Sequence, residues 1–312
     1  MKLWIRNAQG CTALRRAWCR WLPEVGGCER TDVEPGVISP GGGGRVLVFR
    51  SAVHAPMLFA TLLACGTPEP TPDGAYEVTD GRYWLVVPDG VALGDGPVLV
   101  HLHASGAGER LAKQDDLRRQ LGEAGLVGVF PDGGGEPGDD WNVGINKDDI
   151  PRDDTVFLAD VAIDLQDRFG PLELWLGGGS KGGAMTYEMA CLGEPHYAGF
   201  VPMTGAIEAP LPGPCTHPPA PIRHLEGTED DRWPVWWSDD PDSSHMGIMD
   251  SLAELTTADA ACLAEAAEVD GACEVWSGCA DTVSLCWYEG EHALPDDWVR
   301  WQADGIRLLS GA

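Results

Sequence analysis

The 312-residue chain holds 44% hydrophobic residues and 13 tryptophans, enough for one sizeable globular core. Its 49 acidic and 21 basic residues give a formal charge of −28, a field that disfavours polyanionic substrates, anionic lipid headgroups and nucleic acid, the last of which is set aside as a partner. Charge of this kind bears on partners and says little about fold.

The most apolar run, Ala55 to Ala64, is too short to span a bilayer and has the length of a signal-peptide core. It ends in Leu62-Leu63-Ala64-Cys65, which resembles a bacterial lipobox whose cysteine is lipidated and becomes the first mature residue. GTPEPTPDG follows as a polar, proline-rich tether. A short buried strand ending at a core cysteine is the competing reading. Signal peptides open on their basic region, yet an Arg/Trp/Cys-rich segment and the Gly41 to Gly44 run lie upstream of this one. Translation is therefore expected to begin near Val46 or Val48, with Arg50 and His54 as the basic region. Residues 1–64 are read as a signal region (1–45 lying upstream of that start), 65–78 as the tether and 79–312 as the folded domain.

Tyr83 to Pro88 and Pro97 to His103 are strand-like runs separated by glycine- and aspartate-bearing turns. A polar helical stretch near Leu111 to Ala124 leads into Leu126 to Asp132, a buried strand ending in a turn. Gly133 to Arg152 is a long glycine- and aspartate-rich loop containing Trp141. Helical periodicity returns with Val156, Leu158, Val161, Ile163 and Leu165 and stops at Phe169-Gly170. Leu172 to Met189, LELWLGGGSKGGAMTYEM, then reads as strand, sharp turn and helix. Gly199 to Met203 and Pro221 to Glu226 are short strands, Glu229 to Asp250 is largely irregular, and Leu252 to Ala267 is helical. Cys273 to Ser277 and Val283 to Trp287 read as two strands before a last helix near Asp296 to Leu309. The alternation argues for an α/β fold: a mostly parallel central sheet with helices on both faces, its function carried by loops at the strand carboxyl ends.

Gly178-Gly179-Ser180-Lys181-Gly182 has the G-x-S-x-G form of a nucleophile elbow. With 41 glycines in the chain the pentapeptide alone is weak, so its context decides. An apolar strand before it and Ala184-Met185 opening an apolar helix after it are what the mechanism needs. Neighbours without a Cβ let the serine take unusual backbone angles and let the helix cross close to the strand.

Together with HLHASG at 101–106, FPDG at 130–133, EGTEDDRWP at 226–234 and GEHALP at 290–295, the elbow resembles the α/β-hydrolase superfamily. The similarity is greatest to exported polyhydroxybutyrate-depolymerase, feruloyl-esterase and LpqC-like esterases, over roughly Tyr83 to Trp301. The resemblance implies Ser180 as nucleophile, Asp230 as the orienting acid (Asp231 its rival) and His292 as base, in the chain order of that superfamily. A serine hydroxyl needs an imidazole to take its proton, and the imidazole needs a carboxylate to fix its tautomer. The resemblance also implies an oxyanion hole from the backbone of Lys181 and of Ala104 or Ser105. Ala104 stands where the family has glycine, which puts that turn in question. Trp141, Trp233, Trp236, Trp237 and Trp287 lie in or beside the same loops. Trp141, Trp233 and Trp287 are candidates for substrate contact, with core packing as the alternative. The expected activity is hydrolysis of carboxylic esters, polymeric ones included, by an exported enzyme anchored through Cys65 or secreted. A serine peptidase of the same fold and a degenerate binding protein are the rivals. No metal or organic cofactor is expected, since the chemistry needs none and no C-x-x-C spacing suggests zinc.

Six cysteines follow Cys65, an even number that favours disulfides in an exported chain although it allows 15 connectivities. A hairpin over 273–286, turning near Cys279-Ala280, sets Cys273 opposite Cys286, Val275 opposite Ser284 and Ser277 opposite Thr282. Cys273–Cys286 and hence Cys262–Cys279 are then expected. Cys191, after the elbow helix, and Cys215, before the next strand, make the third pair.

Overall fold

The computed structural model describes residues 73–104, 106, 108–135, 140–144, 149–208, 215, 220–236, 245–257, 262, 268–270, 272–276 and 279–311. Cys65, the signal region and Ser105 lie outside them. Ten strands form one sheet: β1 (Gly74–Val78), β2 (Gly81–Val86), β3 (Val98–Leu102), β4 (Val127–Pro131), β5 (Leu174–Gly179), β6 (Gly199–Met203), β7 (Ile222–Gly227), β8 (Glu268–Asp270), β9 (Cys273–Trp276) and β10 (Val283–Tyr288). Their spatial order is β1-β2-β4-β3-β5-β6-β7-β10-β9-β8. The six central strands, β4 to β10 in that order, run parallel, while β1 and β2 on one edge and β9 and β8 on the other pair antiparallel.

Strands β3 to β6 are buried along their whole length. That is why they read as unbroken apolar runs, as parallel strands covered on both faces do. Alternation along β3 divides two cores: Val98, Val100 and Leu102 face one side, Leu99 the other. Helices α3 (Asp154–Phe169), α4 (Lys181–Leu192) and α5 (Ile248–Thr257) cover the first face with Phe157, Val161, Met185 and Leu252. On the opposite face α1 (Gly108–Ala112), α2 (Asp115–Ala124) and α6 (Trp298–Ser310) bring Leu111, Leu117, Leu121, Val299 and Ile306. Helix α3 begins where the Asp153 carboxylate caps the amides of Thr155 and Val156, the usual remedy for unpaired first-turn donors.

The expected fold class is the one observed, with local corrections. Residues 74–78, assigned to the tether, form edge strand β1, so the domain begins before residue 79. Its half-buried, half-exposed alternation with few apolar residues hides it from an apolar-run search. The helix expected over 111–124 is two helices, because Gln114 is extended (φ −68°, ψ 126°) and starts a second one. Helix α5 starts at Ile248, inside the stretch taken as irregular. Strand β5 runs on through its glycines to Gly179.

All three expected disulfides are present: Cys191–Cys215, Cys262–Cys279 and Cys273–Cys286. The β9–β10 register pairs Cys273 with Cys286 and Val275 with Ser284, as the hairpin reading required; Ser277 lies outside the described residues. Three bridges are consistent with an exported protein folding in an oxidising compartment. No helix of the described residues is long and apolar enough to cross a membrane. Replacing Cys191 and Cys215 together by alanine frees a loop with a sequence separation of 24 in the unfolded chain. The expected cost is about 3 kcal/mol of unfolding free energy, to be read by denaturant titration.

Candidate active site

Ser180 joins the end of β5 to the start of α4 with φ 52° and ψ −118°, a backbone region that costs a non-glycine residue about 1–3 kcal/mol. The surroundings hold it there. Its N–H donates to Met203 O at 3.1 Å and lies 3.3 Å from Thr204 Oγ1. A Cβ on Gly182 would sit 2.3 Å from Leu102 O and 2.6 Å from His103 O, and one on Gly205 would sit 2.1 Å from Ser180 O. Glycine at those two positions lets α4 start against the end of β3 and lets the β6 loop close over the serine.

The hydroxyl of Ser180 lies 2.9 Å from His292 Nε2, and His292 Nδ1 lies 2.8 Å from Asp230 Oδ2. Asp230 Oδ1 accepts the amides of Arg232 and Trp233 at 2.8 and 3.2 Å. The Asp230 side chain is 1% exposed and that of His292 19%, whereas Asp231 points to solvent. Burial opposes the Asp230 charge, but hydrogen bonds from His292, Glu226 and the Arg232 amide outweigh it and hold its pKa below the ordinary value. A carboxylate so placed fixes Nδ1–H on the imidazole and leaves Nε2 free to accept from Ser180. The loops bearing Asp230 and His292 are laced together by Thr228 N–H to Tyr288 O and Glu229 N–H to Gly290 O. The Tyr288 hydroxyl lies 2.7 Å from the carbonyls of both Glu291 and Ala293, bracketing His292.

Lys181 supplies the first amide of α4, which a helix leaves without an intrahelical acceptor beside the positive end of its dipole. Ala104 lies at the end of β3 and is absent from the residues with positive φ, so alanine costs this turn nothing. Ser105, the other candidate donor, lies outside the described residues. The loop is pinned from within by His103, whose role sequence does not reveal. Its Nδ1–H donates to Ala104 O at 2.5 Å, and its Nε2 accepts Gly133 N–H at 3.1 Å. Trp141 donates its indole N–H to His103 O at 2.8 Å and packs its ring on the imidazole.

Trp141 is therefore no open aromatic face: it is 0% exposed and acts on the loop. Trp233 is likewise buried, against the ring of His245. For both, a place in a loop is not exposure, because an indole N–H or ring edge can be satisfied inward. Trp287 is half-buried, with its indole N–H 3.4 Å from Glu274. The Lys181 side chain ion-pairs with Asp140 at 2.8 Å, tying the long 133–152 loop to the elbow.

No protein-family model and no curated protein matches this sequence. Among solved structures, the acetyl xylan esterase from Aspergillus awamori is similar at 13% identity and a TM-score of 0.51, over 77% of this chain and 99% of that one. A carboxylesterase from Mesorhizobium loti is similar at 17% identity and a TM-score of 0.48, over 74% and 98%. At 13% identity the likeness to the acetyl xylan esterase is one of fold.

Gly182→Ala drives a methyl group into two backbone carbonyls that cannot yield, whereas Gly74, with nothing within 4 Å of its Cβ position, has room for one. Thermal unfolding should show Gly182→Ala destabilised by about 1–3 kcal/mol and Gly74→Ala close to the parent.

Proposed function

We propose that this chain, which has the α/β-hydrolase fold, is an exported serine esterase that hydrolyses carboxylic esters through an acyl-enzyme. One observation carries the reading: the unbroken hydrogen-bonded row from Ser180 through His292 to Asp230, at 2.9 and 2.8 Å, on a strained strand-to-helix turn. His292 Nε2 takes the Ser180 proton as Oγ attacks the ester carbonyl. The resulting oxyanion is held by the Lys181 amide and by that of Ala104 or Ser105, beside the start of α4. The tetrahedral adduct collapses as His292 returns its proton to the leaving alcohol, and the acyl group remains on Ser180. Water then attacks with His292 again as base, releasing the acid and restoring the serine. Asp230 keeps the imidazole in the working tautomer and stabilises the imidazolium.

Hydroxybutyrate, feruloyl or related esters, polymeric ones included, are the substrates implied by the resemblance of the HLHASG, elbow and GEHALP stretches to exported esterases. The acidic surface disfavours anionic polymers, and α4, covered along nearly its whole length, gives the serine a rigid base. Lipid attachment at Cys65 belongs to the same reading, with the leader of residues 1–64 removed and the enzyme held at the cell envelope.

Hydrolysis of a panel of short-chain, hydroxybutyrate and feruloyl esters beside a dipeptide amide tests the class; cleavage of the amide alone would make this a peptidase. Ser180→Ala and His292→Ala should each abolish ester turnover in a folded protein. Asp230→Asn should lose about 10⁴ in kcat. An organophosphonate should label Ser180 in the parent and far more slowly in His292→Ala. Undiminished hydrolysis by Ser180→Ala would overturn the reading. For the anchor, Cys65→Ser should move the protein from membranes to the soluble fraction with unchanged kcat.

A further inference from the structure

Behind Asp230 lies a second carboxyl group that the triad chemistry leaves unused. Glu226, at the end of β7 and 1% exposed, hydrogen-bonds the Asp230 side chain. Its Oε1 accepts Gly227 N–H at 3.1 Å, and its Oε2 lies 2.9 Å from His224 Nε2. His224 is fully buried, with Nδ1 2.8 Å from the hydroxyl of Tyr187 on α4. Two carboxylates cannot donate to each other, so a hydrogen bond between them requires a proton on one. Asp230 already has His292 and two amides holding its charge.

We propose that Glu226 is a positioning residue: a neutral carboxylic acid that donates its proton to Asp230, holding the carboxylate on His292 until alkaline pH ionises Glu226 and turnover falls. The proposal rests on the esterase reading above.

With the Glu226 proton directed at Asp230, the remaining proton assignments follow. His224 is neutral, since burial lowers its pKa to about 3, so its Nε2–H donates to Glu226 while Nδ1 accepts from Tyr187. Burial, then the hydrogen bond and charge of Asp230, push Glu226 up to about 10. The ionisable groups facing Glu226 are Asp230, His224, Tyr187 on α4 and Tyr288 on β10, with His292 beyond Asp230. Both tyrosines are pushed above their ordinary value, first by burial, and stay neutral through the same range. Asp230 is thus the meeting point of two rows of donors, one from Ser180 and one from Tyr187. Loss of the Glu226 proton would end the second row and set two buried negative charges side by side.

Glu226→Gln and Glu226→Leu test this, because glutamine keeps a donor for Asp230 and cannot ionise, and leucine removes the donor. In ester hydrolysis near pH 7.5, Glu226→Gln should keep kcat within a few-fold of the parent. Glu226→Leu should lose about ten- to a hundredfold in kcat at similar KM, the worth of one hydrogen bond to a charged group. The alkaline fall in the parent's kcat should vanish in Glu226→Gln. Stability gives a readout free of turnover. A carboxyl raised from 4.5 to about 10 keeps its proton in the folded state after the unfolded state has lost it, so the parent loses stability as pH rises through that window. Glu226→Gln should remove that part of the slope. Glu208, raised to about 7 first by burial, contributes to both proteins and cancels in the comparison. Parent-like kcat in Glu226→Leu, or the parent's alkaline fall and stability slope in Glu226→Gln, would overturn the role of Glu226 while phosphonate labelling of Ser180 upheld the triad. Ester hydrolysis surviving Ser180→Ala would overturn both.

Discussion

The structure depends on how closely the start of α4 approaches the end of β3. That approach places the first amides of a buried helix beside the β3 loop and leaves Ser180 no backbone conformation but a strained one. Glycine at 182 removes a Cβ that would strike the carbonyls of Leu102 and His103. The strain is held by β6, whose Met203 carbonyl takes the Ser180 amide and whose following residue, Thr204, is itself at positive φ (44°). Two adjacent strand ends are thus bent to present one hydroxyl. The remaining site residues need only reach that point, and they do so from the ends of β7 and β10, the next strands in the sheet.

Electrostatics follow from this placement. The protein carries a large negative charge, yet the buried Asp230 is stabilised by donors of fixed geometry and, among the described residues, by no lysine or arginine side chain: two amides of its own turn, one imidazole and a neighbouring carboxyl group. Short-range hydrogen bonds inside a low-dielectric site outweigh a diffuse surface field that salt screens. A strongly acidic surface and a buried carboxylate are therefore compatible. The long 133–152 loop is held in the same local way, by His103, by Trp141 and by the Lys181–Asp140 pair.

What sequence makes legible divides along the same line. The parallel centre is legible because strands buried on both faces are written as runs such as VLVHL and VGVFP. The strained turn at Ser180 is legible because its glycines are local, and the place of His292 because it follows the last strand after a glycine. Edge strand β1 is not, since GAYEV buries little, and neither are interactions whose meaning depends on a distant partner. His103 meets Gly133 30 positions away and Trp141 38 positions away. Glu226 stands only four residues before Asp230, but in a row of acids it reads as solvated. Only the turn after β7 shows that it points inward. Trp141 and Trp233 err in the opposite direction, since loop tryptophans invite a surface role and these two are core.

The far edge of the sheet explains how His292, the proposed base, can sit at the end of a long chain of elements and still be held in place. His292 lies beyond β10, which would be an exposed edge were it not paired to β7 on one side and to β9 on the other. Cys273–Cys286 links β9 and β10 at paired positions, and Arg223 on β7 places its Nε–H 3.0 Å from Cys286 Sγ. β8 continues the antiparallel layer and moves the open edge two strands away from the histidine. An unpaired edge both frays and recruits other chains. Displacing it outward leaves the loop after β10 tied to the Asp230 turn by backbone hydrogen bonds, and that coupling is what the proposed base needs if its distance to the serine is to stay fixed.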